Sequence, residues 1–172
     1  MHKDLPIQNT IFTDRLNLEK LSVDEYDFIE SLVNSKGWIE NIGDRNIHSK
    51  DDAIAYINKI LDTENLLYWV ARIKETNIPI GIISFIKRNY LDHFDVGFAF
   101  LPKFHGKGYA YEATVAVLAG LPKLPLFDII LATTKASNLS SIKLLIKLGF
   151  NLEKELEIDN QNLLIYTNAT LT

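Results

Sequence analysis

Between Lys103 and Ala110 the chain reads Lys-Phe-His-Gly-Lys-Gly-Tyr-Ala, with glycines at 106 and 108. Residues of these types, ahead of a helix, suit one kind of chemistry. The first turn of a helix leaves backbone N–H groups without partners and carries a partial positive charge. Glycines before it reach angles that other residues avoid and let an anion approach the amides. Phosphate or pyrophosphate is the natural ligand, with Lys103, Lys107 and His105 as donors nearby. A dinucleotide fingerprint needs glycine at position 111, which is Tyr111, and a Walker loop needs glycine at 101, which is Leu101. Both fail. Gly-x-Gly before a helix is common, so alone it fixes no ligand.

Other side chains carry potential chemistry. Asp95 is a carboxylate at the start of an apolar strand, where a solvated charge is equally ordinary; Asp92 and His93 stand beside it. Asn138 has the place of a helix N-cap, which puts Ser141 in the first turn. A hydroxyl there either bonds backbone or faces whatever occupies the helix terminus. Glu112 would complement a helix N-terminus and point away from an anion. Trp38, Tyr56, Tyr68 and Trp69 are candidates for a substrate groove, with core packing the plainer reading of Tyr68 and Trp69.

The elements that must position these residues follow from periodicity. Ile11–Lys20 alternates as a half-buried strand. Ser22 precedes a helix with Tyr26, Ile29, Leu32 and Val33 on one face, and Ser35 to Lys50, with Gly37 and Gly43, reads as loop. Ser49 caps a second helix. Strands are expected at Leu66–Lys74 and Ile78–Lys87, joined as a hairpin, and at Phe94–Leu101. A helix from Gly108 to Ala119 with Ala113, Ala116 and Val117 facing the sheet stops at Gly120 and Pro122. Phe127–Thr133 is a continuous apolar strand for a sheet covered on both faces. A helix over Leu139–Leu148, with Ile142, Leu145 and Ile146 inward, and strands Phe150–Glu157 and Leu163–Asn168 complete a mixed α/β sheet.

The 172 residues suit one domain spanning 1–172, able to bury roughly 70% of its unfolded surface without staples. No cysteine is present, which excludes disulfides, thiolate zinc sites and a cysteine nucleophile. His2, His48, His93 and His105 form no short-spaced pair, so no metal site is expected. Met1 to Pro6 lacks the apolar run of a signal peptide, and no apolar stretch is long enough for a membrane span, so a cytoplasmic protein without membrane contact is expected. The net charge of -4, with signs interleaved, argues against nucleic-acid binding. A mildly acidic surface favours cationic substrates in general, but a net charge this small decides nothing alone.

The run Lys103-x-x-Gly106-x-Gly108-Tyr109-Ala110-x-Glu112-Ala113 resembles the pyrophosphate loop of the GNAT superfamily of N-acetyltransferases. Asn138-x-x-Ser141-x-x-Leu144-x-x-x-x-Gly149-Phe150 resembles that family's second cofactor-side element. Thr13-Asp14-Arg15-Leu16-Asn17-Leu18 and Pro79-Ile80-Gly81 resemble the RimJ/RimL-type branch, which acetylates ribosomal-protein N-termini. Lys103 departs from the usual Gln or Arg; it keeps a charge and loses the planar fork.

The resemblance implies a three-layer α/β/α fold with a mostly antiparallel twisted sheet and a splay between two central parallel strands, here Phe94–Leu101 and Phe127–Thr133. It implies acetyl-CoA as donor, its pyrophosphate on Lys103, His105, Gly106, Lys107, Gly108, Tyr109 and Ala110, and its pantetheine arm beside Phe98, Phe100 and Asn138. A primary amine, on a protein N-terminus or a small molecule, would attack the thioester directly. Asp95 would then be the base, Ser141 the proton donor to the thiolate, and Trp38 part of the acceptor site. The resemblance also allows a homodimer, and a non-catalytic acyl-CoA-binding module on the same fold is the alternative.

Overall fold

A computed structural model describes residues 7–169; His2 and the Met1 to Pro6 segment lie outside the described residues. The eight strands are β1 (Thr10–Phe12), β2 (Leu16–Lys20), β3 (Leu66–Ile73), β4 (Pro79–Ile86), β5 (Phe94–Phe100), β6 (Ile130–Lys135), β7 (Asn151–Ile158) and β8 (Gln161–Thr167). The helices are α1 (Tyr26–Val33), α2 (Lys36–Asn41), α3 (Lys50–Asp62), α4 (Tyr109–Ala119) and α5 (Leu139–Lys147). The strands form one sheet in the order β1-β2-β3-β4-β5-β6-β8-β7. Every neighbouring pair is antiparallel except β5 and β6.

Each sheet face is covered by its own helices. Ala113 and Val117 of α4 and Leu145 of α5 join a core with Trp69, Ile83, Phe85, Val96 and Ile130. Phe28, Ile29, Leu32 and Val33 of α1, Trp38 of α2 and Ala53, Ile57 and Ile60 of α3 pack on Val70 and Ile82 across the sheet. This is the expected α/β/α sandwich. Burial of both faces explains why β6 opens on three consecutive apolar residues, Ile130, Leu131 and Ala132.

Several boundaries differ from expectation, each for a local reason. The first strand divides into β1 and β2, because the Thr13 hydroxyl accepts from the Leu16 amide at 2.8 Å and closes a turn between them. Ser22 makes no side-chain cap; a 3-10 turn, Val23–Glu25, leads into α1. Ser49 does cap α3, accepting from the Asp52 amide. The expected 35–50 loop contains α2, whose six residues are anchored by buried Trp38 despite Gly37. β6 begins three residues late: Pro125 starts a 3-10 turn ending at Phe127, whose ring joins Phe94 at 5.4 Å. On α5 Leu145 is buried and Ile146 is exposed, so the inward face is narrower than its spacing suggests.

Candidate active site

β5 and β6 pair only at Phe94 with Ile130 and Asp95 with Leu131. Past that seam they diverge, and the backbone groups of β5 that face β6 have no ladder to join. The gap opens a cleft of about 1160 Å³, lined among others by Val96, Phe98, Phe100, Thr133, Gly106, Gly108, Asn138 and Ser141. The strands that splay and the glycine turn therefore meet as expected. Phe100 contributes mainly structure: its ring lies where a Cβ on Gly81 would stand, 2.3 Å away, so glycine is needed there.

One wall is built from main chain. Gly106 (φ +72°) and Gly108 (φ +81°) both adopt left-handed backbone, and space around Gly106 is open. Gly108 is the N-cap of α4 and brings no side chain to the task, leaving its first-turn amides for a ligand. His105 lines the cleft with one of its two ring nitrogens engaged within the chain. Its Nε2 lies 2.7 Å from the Phe100 carbonyl oxygen and fastens the turn to the end of β5. Lys103 and Lys107 are exposed beside the Phe104 ring, outside the residues that line the cleft, so their charge reaches it only from the rim.

The turn is braced from behind by residues absent from the expected site. Arg15 Nε donates to Glu112 at 2.6 Å, its Nη1 donates to the Lys107 carbonyl at 2.9 Å, and its guanidinium lies 4.4 Å from the centre of the Tyr109 ring. The Thr13 hydroxyl also donates to Glu112, at 2.6 Å. Burial pushes the Glu112 carboxyl up, but these donors from Thr13 and Arg15 outweigh it and hold it below the usual range. Glu112 thus points away from the anion site, as its charge requires. Thr13 and Arg15 stood in the sequence as marks of a family branch; here they hold the loop.

Across the gap, α5 supplies a second helix N-terminus. Asn138 caps it by accepting from the Ser141 amide at 3.2 Å. The Ser141 hydroxyl makes no protein hydrogen bond among the described residues, so capping does not occupy it. Lys143 and Lys147 of α5 also line the cleft, Lys147 over the Tyr111 ring at 4.3 Å; their helical spacing was visible, but nothing marked them as site residues.

Asp95 sits at the seam itself and is 2% exposed. Its Oδ1 accepts from the Thr133 amide at 3.0 Å, and its Oδ2 accepts from the Thr133 hydroxyl at 3.0 Å and from Arg88 Nε. The carboxylate thus takes the N–H that β5 backbone would have received had the ladder continued. Burial pushes its carboxyl up, while Arg88 and the Thr133 donors pull it back. Asp92 and His93 do not line the cleft.

The far lobe holds the acceptor candidates. Trp38 lines it from a helix rather than a loop, and its Nε1 is buried without a hydrogen-bond partner. Tyr56 and Tyr68 line the same lobe, so Tyr68 is a site wall and not only core; Trp69 is fully buried on the opposite face, its Nε1 donating to the Gln8 carbonyl. Lys135 Nζ donates to the Glu40 carbonyl at 2.9 Å, tying β6 to α2. Among the described residues no cluster could hold a metal, and no helix is long and apolar enough to cross a membrane.

Comparison with known proteins places this geometry. The Acetyltransferase (GNAT) domain family matches residues 15–151. The uncharacterized N-acetyltransferase YnaD of Bacillus subtilis strain 168 is 26% identical over 144 residues, 83% of each chain. A GNAT-family acetyltransferase structure from Bacillus anthracis superposes with a TM-score of 0.72 at 22% identity, covering 92% of this chain and 96% of that one. RimL, a ribosomal-protein α-N-acetyltransferase solved in complex with coenzyme A, gives a TM-score of 0.78 at 13% identity, covering 92% and 96%. At such identities the structural likeness is one of fold.

Proposed function

We propose, for a chain that belongs to the GNAT acetyltransferase family, that the cleft binds acetyl-CoA and passes its acetyl group to a primary amine. The observation that carries the reading is the two-residue seam between β5 and β6, which opens beside a glycine turn and two helix N-termini. Bound there, acetyl-CoA supplies an activated thioester carbonyl. The chain's residues do the rest. First-turn amides of α4, freed by Gly106 and Gly108, hold the pyrophosphate. Unpaired backbone groups of β5 beyond Asp95 hold the extended arm and offer N–H donors to the carbonyl oxygen as it gains charge. The amine nitrogen bonds to the carbonyl carbon and gives its proton to Asp95 Oδ1, if that group is the base, or to solvent at the mouth of the cleft. The C–S bond breaks, its electron pair goes to sulfur, and the free Ser141 hydroxyl passes a proton to sulfur while taking one from solvent.

Asp95 has two readings. As a base it would take the amine's proton through the acceptor position left on Oδ1. As a brace it sets the splay, and three donors already engaged support that role more strongly. A ribosomal-protein N-terminus is one acceptor within this reading. The RimJ/RimL-like residues Thr13 and Arg15 support it only as architecture, since they brace the loop.

The test is direct. Acetyl-CoA at about 100 times its Kd should stabilise the fold by roughly 2.7 kcal/mol, a melting shift of several degrees. Thiol release with a suitable amine should follow. No shift in a folded protein sinks the proposal; a shift without turnover on any amine leaves a binding module.

A further inference from the structure

The charge of the cleft runs opposite to the charge of the chain. The whole protein is at -4, yet six Lys and Arg residues line the cleft against three acids. Lys143 and Lys147 stand on α5, on the cofactor side. Lys36, Arg45 and Lys59 stand in the far lobe with Glu40 and Asp44, and Arg88 and Asp95 stand at the seam. Two of those acids are already paired, Glu40 with Lys36 at 3.6 Å and Asp95 with Arg88. Asp44 Oδ1 accepts from the Asn46 amide at 2.8 Å. Among the described residues Arg45 and Lys59 have no carboxylate partner.

The neutral groups lean the same way. Burial and the neighbouring Tyr56 push the Tyr68 hydroxyl up and keep it a donor, and the charges of Arg45 and Arg88 both act on it. Arg45 lies 6.0 Å from the Trp38 ring, whose Nε1 has no acceptor. A lobe rich in donors, with an unpaired guanidinium, suits a ligand that brings acceptors. A polyamine needs the reverse, several open carboxylates, and would find only Asp44. The net charge of the whole chain is therefore no guide to the charge its cleft presents.

Resting on the acetyl-transfer reading above, we propose that the acceptor is a primary amine that also carries an anionic group, carboxylate or phosphate, held by Arg45 in the lobe walled by Trp38 and Tyr68. Matched pairs isolate the anion: phosphoethanolamine against ethanolamine, phenylalanine against phenylalaninamide, with spermidine as the cationic control. In at least one pair kcat/KM should favour the anionic member by about tenfold or more, the value of a charged hydrogen bond. Arg45→Gln should bring that ratio close to one. Preference for the neutral members or for spermidine, or a ratio that Arg45→Gln leaves in place, overturns the proposal.

A second readout covers a panel on which no amine reacts. In protein saturated with coenzyme A, inorganic phosphate should change the fluorescence of Trp38, the other tryptophan, Trp69, being fully buried on the opposite face. Arg45→Gln should abolish the change, and no change in the unaltered protein counts against the proposal. Failure of coenzyme A itself to stabilise the fold strikes instead at the acetyl-CoA reading.

Discussion

On one side of the splay the surface offered to a ligand is main chain: two left-handed glycines and the first turn of α4. On the other it is side chain: Asp95, Arg88 and Thr133 at the seam, and Trp38, Tyr68 and Arg45 beyond it. Backbone recognises what backbone can reach, the repeated anionic and amide groups of a carrier, and tolerates changes in the residues around it. Side chains recognise one partner and change with it. On the function proposed above, the first wall would take a donor common to a family, and the second an acceptor particular to this chain.

Perturbing the seam should have the largest effect. Asp95→Ala is expected to lower turnover by about 10²-fold. Asp95→Asn then separates the readings: a base would take the acidic limb of the pH–rate profile with it, whereas a brace would lower the rate and keep the limb. Next comes the backbone wall. Gly108→Val forces a β-branched residue to φ +81°, with its Cβ 3.3 Å from Arg15, and should weaken acetyl-CoA binding by about tenfold, from roughly 1–2 kcal/mol of strain. Lys103→Ala, at the rim, should change it by less than about fivefold, because an exposed charge contributes ~1 kcal/mol at most. Equal losses in the two variants would erase the contrast between the walls.

Ser141→Ala should slow the chemical step by about tenfold, one hydrogen bond's worth, with the melting temperature unchanged because Asn138 caps the helix. A lower melting temperature with an unchanged rate would assign the hydroxyl to structure. The smallest effect concerns the brace behind the loop. Glu112 is held below its ordinary value, so its stabilising contribution is complete above the unfolded carboxyl's range and fades as pH falls through the folded value. Melting curves of Glu112→Gln and the unaltered protein should therefore differ at neutral pH and converge in acid.

The same contrast explains what was legible in the sequence. Gly106, Gly108 and Asn138 announce their conformations, because left-handed backbone and helix caps restrict residue type locally. The mixed α/β sheet was legible for a similar reason, through the period of α3 and the β3–β4 hairpin, while its three layers were implied only by the family resemblance. Nothing local announces that Arg15 reaches Lys107 or that Asp95 receives Thr133, since those contacts join distant parts of the chain. α2 was hidden by Gly37 and exists because Trp38 finds a core to enter. His105 was marked by proximity alone, and nothing local announces that its Nε2 reaches the Phe100 carbonyl.

The short seam also divides the molecule for folding. β1 to β5 lie in chain order across residues 10–100, and β6 to β8 come from 130–167. Each half is an antiparallel unit of neighbouring segments, cheap to close in loop entropy. In the sheet itself only the rungs at Phe94 and Asp95 join the halves; the rest of the weld is side-chain packing and the Lys135–Glu40 bond. A molecule lying in the gap adds the missing rungs, so its departure leaves the weld as the weakest line in the sheet. Amide exchange should be fastest along β5 and β6 beyond Asp95, and slow there when the gap is filled.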